Sequence, residues 1–238
     1  MNQLPPYRIF PVGDTALTID FGNQIDENIN KQVLGLFTAL KTKPLPGMTE
    51  AVPAYSSLTV YYDMIAVQKK KNETAYDRVK QQLEEQLGSL SAMQEENSRL
   101  VSIPVCYDPL LAPGIVDLSS TRNISIEEII HIHTARSYRV YMLGFLPGFA
   151  YMGDVDERIV MPRKSKPETV LAGSVGIAGK QTGIYPMTSP GGWCIIGRTP
   201  ITMFETGEDY KTLLQAGDYV RFTSISKDEF ESNQSRHS

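Results

Sequence analysis

Of the three histidines in this 238-residue sequence, His133 is the one read as a side chain for proton transfer, because imidazole titrates near neutral pH without outside help. Downstream of it, Arg163, Lys164, Lys166, Lys180 and Arg198 supply positive charge that could neutralise an anionic substrate or a phosphoryl group. Gln181 and Tyr185 carry the donors and acceptors needed to orient a small amide. Each has a plainer reading. Loop cations are commonly solvated, and a histidine on the inward face of a helix is commonly a hydrogen-bonded core residue. Other chemistries fail on spacing. Gly173–Lys180 (GSVGIAGK) lacks the glycine a phosphate loop needs at Ser174 and the Ser or Thr it needs at Gln181, and a β-prone segment follows where a helix should start. His131 and His133 are two apart, so on a helix they face different ways, and Cys106 and Cys194 stand alone; no metal site is expected. No G-x-S-x-G nucleophile elbow occurs.

The elements that must position these residues differ along the chain. Eleven of the 18 glycines fall between Gly144 and Gly207, amid repeated prolines, and such a stretch cannot be mainly helical. Short β-prone runs separated by this punctuation predict a closed antiparallel barrel with one or two helices over residues 99–230. One helix starts at the capping box Ser125–Glu128. Gln215–Asp218 reads as a turn into the last strand, Tyr219–Phe222, and residues 231–238 as a flexible polar tail. Residues 1–98 obey other rules. Tyr7–Val12 and Ala16–Phe21 read as a hairpin about Gly13-Asp14, and Asp26 caps a helix carrying Ile29, Val33, Leu36, Phe37 and Leu40. Two more strands, Glu50–Ala54 and Leu58–Tyr62, and a helix capped by Asn72 complete a small ββαββα, α+β domain with helices on one sheet face. It contains no His and no Cys and is read as a folding or docking module.

Composition narrows the function classes. The chain is 41% hydrophobic, 21% charged and carries a formal net charge of −4, which fits a globular protein and argues against nucleic acid as a partner. Two cysteines fit a reducing compartment. No apolar run is long enough for a bilayer, so no membrane partner is expected. The N-terminal run has no basic or apolar signal region, and the reading is cytoplasmic.

Ordered motifs then carry a resemblance. Gly13-Asp14-x-Ala16-Leu17 with Phe21-Gly22, His133-Thr134-Ala135 with Tyr138, Leu143–Tyr151 (LGFLPGFAY), Pro162-Arg163, Ala172–Gly179, Gln181–Pro186, Ser189–Trp193 (SPGGW) and Gly197–Pro200 together resemble the allophanate-hydrolase subunit 1 family over nearly the whole chain. Within it the pattern is most similar to members serving in bacterial ATP-dependent 5-oxoprolinases, some of which are Kip-type inhibitors of a sporulation sensor histidine kinase. The resemblance implies a cyclophilin-like barrel for the second domain and two sister subunits, A and C. Together they would open the lactam of 5-oxoproline to glutamate, with ATP as a co-substrate and no tightly bound cofactor. The candidate residues are then His133, Arg163, Gln181 and Tyr185 for catalysis and Lys180, Arg198, Gly191 and Gly192 for the substrate and anion. Two positions depart from the family. Pro167 is followed by Glu168 in place of arginine, and Ile115-Val116-Asp117-Leu118 stands where Pro-Asp-Leu is usual.

Two function classes follow. One is an enzyme subunit, inactive alone, whose site a partner completes. The other is an interaction protein that binds the helical phosphotransfer region of the kinase through Phe145, Leu146, Phe149, Tyr151 and Trp193, aromatic and apolar side chains of the kind that dominate binding hot spots. Taken singly, each of these five side chains is more commonly a core-packing residue. A third class, prolyl isomerisation, rests on fold analogy and lacks an arginine in the strand context it needs.

Overall fold

In the computed structural model of the chain, residues 5–67, 73–89, 98–205, 207 and 211–234 are described. The expected Asn72 cap lies outside them. The chain divides into two compact units, Met1–Asn97 and Ser98–Ser238.

In the first unit the order is β1 (Arg8–Pro11), β2 (Ala16–Asp20), α1 (Glu27–Thr42), β3 (Met48–Pro53), β4 (Ser57–Tyr62), α2 (Ala75–Ser89). The sheet runs β1-β2-β4-β3 and every pairing is antiparallel. Asp26 caps α1 by accepting from the backbone N–H of Asn28 and Ile29, as its type and position predict. Alternation along the strands sends Leu17, Ile19, Leu58 and Val60 to the helix-covered face, where they meet Val33, Leu36 and Leu40 of α1 and Val79 and Leu83 of α2. The other face carries Phe10, Thr18, Thr59 and Val52 in one row, tied at its centre by the Thr18–Thr59 hydroxyl contact of 2.8 Å.

In the second unit the elements are β5 (Leu100–Cys106), α3 (Ile115–Arg122), α4 (Ile126–Thr134), β6 (Ser137–Leu143), β7 (Ala150–Gly153), β8 (Glu168–Val170), β9 (Ser174–Ala178), β10 (Gln181–Ile184), β11 (Ser189–Gly191), β12 (Cys194–Arg198), β13 (Phe204–Glu205), β14 (Lys211–Thr212), β15 (Tyr219–Ile225) and α5 (Lys227–Gln234). Seven strands close a barrel in the order β10-β7-β6-β15-β5-β12-β9, while β8-β11 and β13-β14 form separate ribbons. Ile103, Val105, Val140, Val175, Ile177 and Phe222 fill the interior.

Three expectations change. The barrel is not wholly antiparallel, because β15 runs parallel to β5 along its whole length, the long path between them letting the last strand arrive in the same direction. The helix Ile115–Arg122 is an addition to the expected elements. Its one-turn apolar anchors, Ile115 and Leu118, are too few to announce a period, and burial against the barrel holds them. Residues 231–234 are not a loose tail, since they end the helix α5. Ser226 and Glu229 make a reciprocal capping box there, with the Ser226 hydroxyl accepting from the Glu229 N–H and the Glu229 carboxylate accepting from the Ser226 N–H at 2.7 Å. Phe230 anchors the helix at 2% exposure. Residues 235–238 lie outside the described residues.

Candidate functional site

His133 sits on α4, whose N-terminus Ser125 caps through the Glu128 N–H. The helix turns His133 into the barrel, where it is 0% exposed and stacks on Phe222 at 4.5 Å between ring centres. Its protons are assigned by its neighbours. The Thr182 hydroxyl donates to the Gly176 carbonyl, so its oxygen can only accept from His133 Nε2–H at 3.1 Å, and Nδ1 then accepts from the Tyr107 hydroxyl at 2.8 Å. Burial drives the imidazole pKa down to about 3. The expected proton-transfer residue is thus a neutral core group away from any surface a substrate reaches. Its partners Tyr107 and Thr182 carry no motif that spacing would expose.

A second group gathers on the outside of the barrel. Phe149, Tyr185, Trp193, Val170 and Ile195 form a satellite cluster with Tyr151 and Leu146 at its edge. Phe149 lies edge-on to both Tyr185 and Trp193, with centroids at 5.1 and 5.4 Å. The exposure expected of these aromatic residues is found at Phe145, which is 59% exposed, and not at Phe149 and Trp193, which are buried against each other. The β8-β11 ribbon folds over this cluster. It puts Gly191 against the Tyr185 ring, where a Cβ would stand 2.4 Å from the phenol oxygen. Tyr185 is itself buried, and its hydroxyl accepts from the Trp193 backbone N–H. Burial raises the Tyr185 pKa, while that N–H and the positive charge of Arg163 work the other way, so the phenol stays protonated at neutral pH. Burial likewise raises Tyr151, again opposed by Arg163. Arg163 is exposed beside Gly192, whose Cα approaches its side chain so closely that a Cβ would lie 3.2 Å from Nε. Among the described residues no carboxylate pairs with Arg163.

The remaining candidates are placed apart from that group. Lys180 and Gln181 flank the β9–β10 turn. Lys180 is ion-paired with Glu157 at 3.1 Å, and Gln181 is half-buried opposite Ala178 and Gly153. The segment 173–180 is a strand and its hairpin turn, so no helix N-terminus there faces a phosphate. The reversed charge at Glu168 is offset locally by Lys164, 2.7 Å away. Arg198 closes β12 and lines two adjoining clefts of about 260 and 150 Å³. Its neighbours Gly173 and Thr199 make the crossing that shapes the larger one. Gly173 has φ +80°, and a Cβ there would fall 2.3 Å from the Thr199 carbonyl oxygen, so only glycine serves both demands. Gly173 also donates to the Tyr185 carbonyl at 2.7 Å, which joins this crossing to the aromatic cluster through the main chain. Among the described residues no three His, Cys, Asp or Glu side chains group to hold a metal, and no helix is long and apolar enough to cross a membrane.

Comparison with known proteins agrees with this architecture. Residues 7–214 match the family described as carboxyltransferase domain, subdomain C and D. The chain is 44% identical over 228 residues to the 5-oxoprolinase B subunit of Bacillus subtilis, covering 94% of this chain and 95% of the relative. It is 32% identical to the 5-oxoprolinase B subunit of Escherichia coli O157:H7, over 90% of this chain and 94% of that one. Among solved structures, TTHA0988 is 34% identical with a TM-score of 0.75, over 89% of this chain, which spans 40% of the TTHA0988 chain.

Proposed function

Because the chain belongs to the carboxyltransferase domain family, subdomains C and D, we propose that it is one component of a 5-oxoprolinase complex that opens 5-oxoproline to L-glutamate with hydrolysis of ATP. The observation that carries this reading is the 44% identity to the 5-oxoprolinase B subunit of Bacillus subtilis, which extends over both units.

The chemistry asks for electrophilic activation. An unstrained lactam carbonyl is a poor electrophile. Transfer of the γ-phosphoryl group of ATP, the co-substrate, to its oxygen releases ADP and opens the ring carbon to attack by water. The C–N bond then breaks as the nitrogen takes a proton, and a second water hydrolyses the resulting acyl phosphate to L-glutamate and phosphate. Negative charge builds on the transferring phosphoryl group, and fixed cations lower that barrier. In this chain Arg163 is the candidate for that role, being unneutralised among the described residues and held beside Gly192 over Tyr151 and Tyr185. Tyr185 then acts as a positioning residue, and His133 has no part in proton transfer. Gln181 and Lys180 at the β9–β10 turn are candidates for amide and anion contacts. The two sister subunits complete the site, and this chain alone is inactive. Cytoplasmic ATP is the expected supply.

The test is reconstitution. Glutamate release from 5-oxoproline and ATP is expected from this chain with its two sister subunits and not from this chain alone. Arg163→Ala is expected to cut the rate by about 10²-fold or more, the scale for losing one charge-stabilising group. No release from the full set overturns the reading.

A second reading rests on Phe145. It is exposed on the β6–β7 loop with φ +69°, a conformation unusual for an aromatic residue and concentrated at functional positions. In this reading the loop docks on the phosphotransfer helices of a sensor histidine kinase and blocks autophosphorylation. An unchanged autophosphorylation rate on titration with the chain rejects it.

A further inference from the structure

Among the described residues Arg198 has no acidic neighbour, like Arg163, but unlike the exposed Arg163 it is withdrawn from water. Lys164, Lys180, Arg99, Arg136 and Arg158 each meet a carboxylate. Arg198 is half-buried, and its only polar contact among the described residues is the hydrogen bond from Nε to the Ala172 carbonyl at 2.9 Å. On one side its guanidinium lies 5.8 Å from the centre of the Phe230 ring. Cations withdrawn from water are normally paired, so a charge left open at the meeting of two clefts marks a place for an anion from outside.

The donors that remain define that anion. With Nε committed to Ala172, only the terminal nitrogens Nη1 and Nη2 are available, and they present two parallel N–H groups end-on, the spacing that suits the two oxygens of one carboxylate. The larger cleft carries one charge on its described lining. Its walls are apolar at Pro186, Pro200 and Ile201, and the Thr202 hydroxyl has no hydrogen-bond partner among the described residues. One positive charge, with a free hydroxyl and both polar and apolar groups around it, matches a small monoanion better than a phosphate, which seeks several cations. Helix α5 borders the site twice, with Phe230 against the guanidinium and Gln234 on the cleft wall.

We propose that the cleft at Arg198 binds a small monocarboxylate, its two oxygens held end-on by Nη1 and Nη2 and one wall supplied by α5. This ligand class follows from the cleft alone, whatever reaction the complex performs. The proposal is tested on the full chain by titration with acetate, propionate, 5-oxoproline and inorganic phosphate, following backbone amide NMR shifts. Saturable shifts centred on Gly173, Thr199 and Thr202 are expected with the carboxylates, together with a rise in melting temperature. Arg198→Met, which keeps the packing against Phe230, is expected to weaken binding at least about tenfold, the scale of one charge-assisted bidentate contact. Arg198→Lys, which keeps the charge and loses the fork, is expected to fall between. Absence of saturable shifts with every carboxylate overturns the proposal, and so do shifts centred on Arg163 and Gly192. Phosphate binding as tight as the carboxylates overturns the ligand class. The wild-type shift map decides the matter even if Arg198→Met fails to fold. Binding at Arg198 without glutamate release from the reconstituted complex would leave this site standing and remove the proposed reaction.

Discussion

Acid should unfold the barrel through His133. In the folded chain burial holds its pKa at about 3, whereas in the unfolded chain it returns to about 6.5. Between those values the unfolded state binds a proton that the native state refuses, so stability falls as pH falls. The steepest loss is about 1.4 kcal/mol per pH unit. Above about pH 7.5 the imidazole is neutral in both states and contributes almost no slope. By about pH 4.5 the accumulated loss is about 3 kcal/mol, a large share of the ~5–15 kcal/mol that holds a typical domain together. The physical origin is specific. A second ring proton would sit on Nδ1, where the only partner is the Tyr107 hydroxyl that already donates to it, and no carboxylate contacts the ring. The comparison is urea unfolding followed by near-UV circular dichroism across this pH range, for the native chain and for His133→Gln. The variant loses the stacking on Phe222 and is expected to be less stable near neutral pH by about 1–3 kcal/mol. It has no imidazole to titrate, so its stability should fall less steeply and the two curves should converge toward acid. Parallel curves would refute this account of His133, as would an NMR titration of His133 with a midpoint near 6.

Three further perturbations probe other parts of the architecture. Gly191→Ala puts a methyl group 2.4 Å from the Tyr185 hydroxyl, and the resulting overpacking should cost about 1–3 kcal/mol; a melting temperature equal to that of the native chain would show that the ribbon yields freely. Ser226→Ala removes the cap of α5 and should cost about 1 kcal/mol, with the loss visible as faster amide exchange in residues 227–234. Asp218, at 4% exposure, accepts from Arg99 Nε at 2.9 Å and from the Gln215 N–H at 2.8 Å. Asp218→Asn leaves one of these donors facing an amide nitrogen and should cost about 1–3 kcal/mol, measured by urea unfolding.

Local signals in the chain were enough for the elements they govern. The cap at Asp26 and the spacing of Val33, Leu36 and Leu40 specify α1 wherever it packs, and Ser125–Glu128 does the same for α4. Glycine and proline density specifies a turn-rich β region, because backbone preference acts within a few residues. Ser226–Glu229 carried the same kind of signal for α5 and was legible, although the polar composition after it suggested a loose tail. Which strands become neighbours is another matter. The parallel pairing of β15 with β5 joins residues more than a hundred positions apart, and no local period encodes it.

The candidate site divides along the same line. Residue types alone picked out His133, Arg163, Tyr185 and Arg198 as groups capable of chemistry, and their motifs indicated the family. Only tertiary structure assigned their states, since charge and reactivity depend on what surrounds a group in space. Enclosure by Phe222, Tyr107 and Thr182 makes His133 a neutral core residue, and mutual burial removes Phe149 and Trp193 from the surface. Arg163 and Arg198 keep open charges because the folded barrel places no carboxylate beside them among the described residues, while it gives Lys164 and Lys180 one each. The sequence by itself thus determined which side chains were available for chemistry. Folding decided which of them water, substrate or a partner can reach, because desolvation and pairing are properties of packing between distant segments.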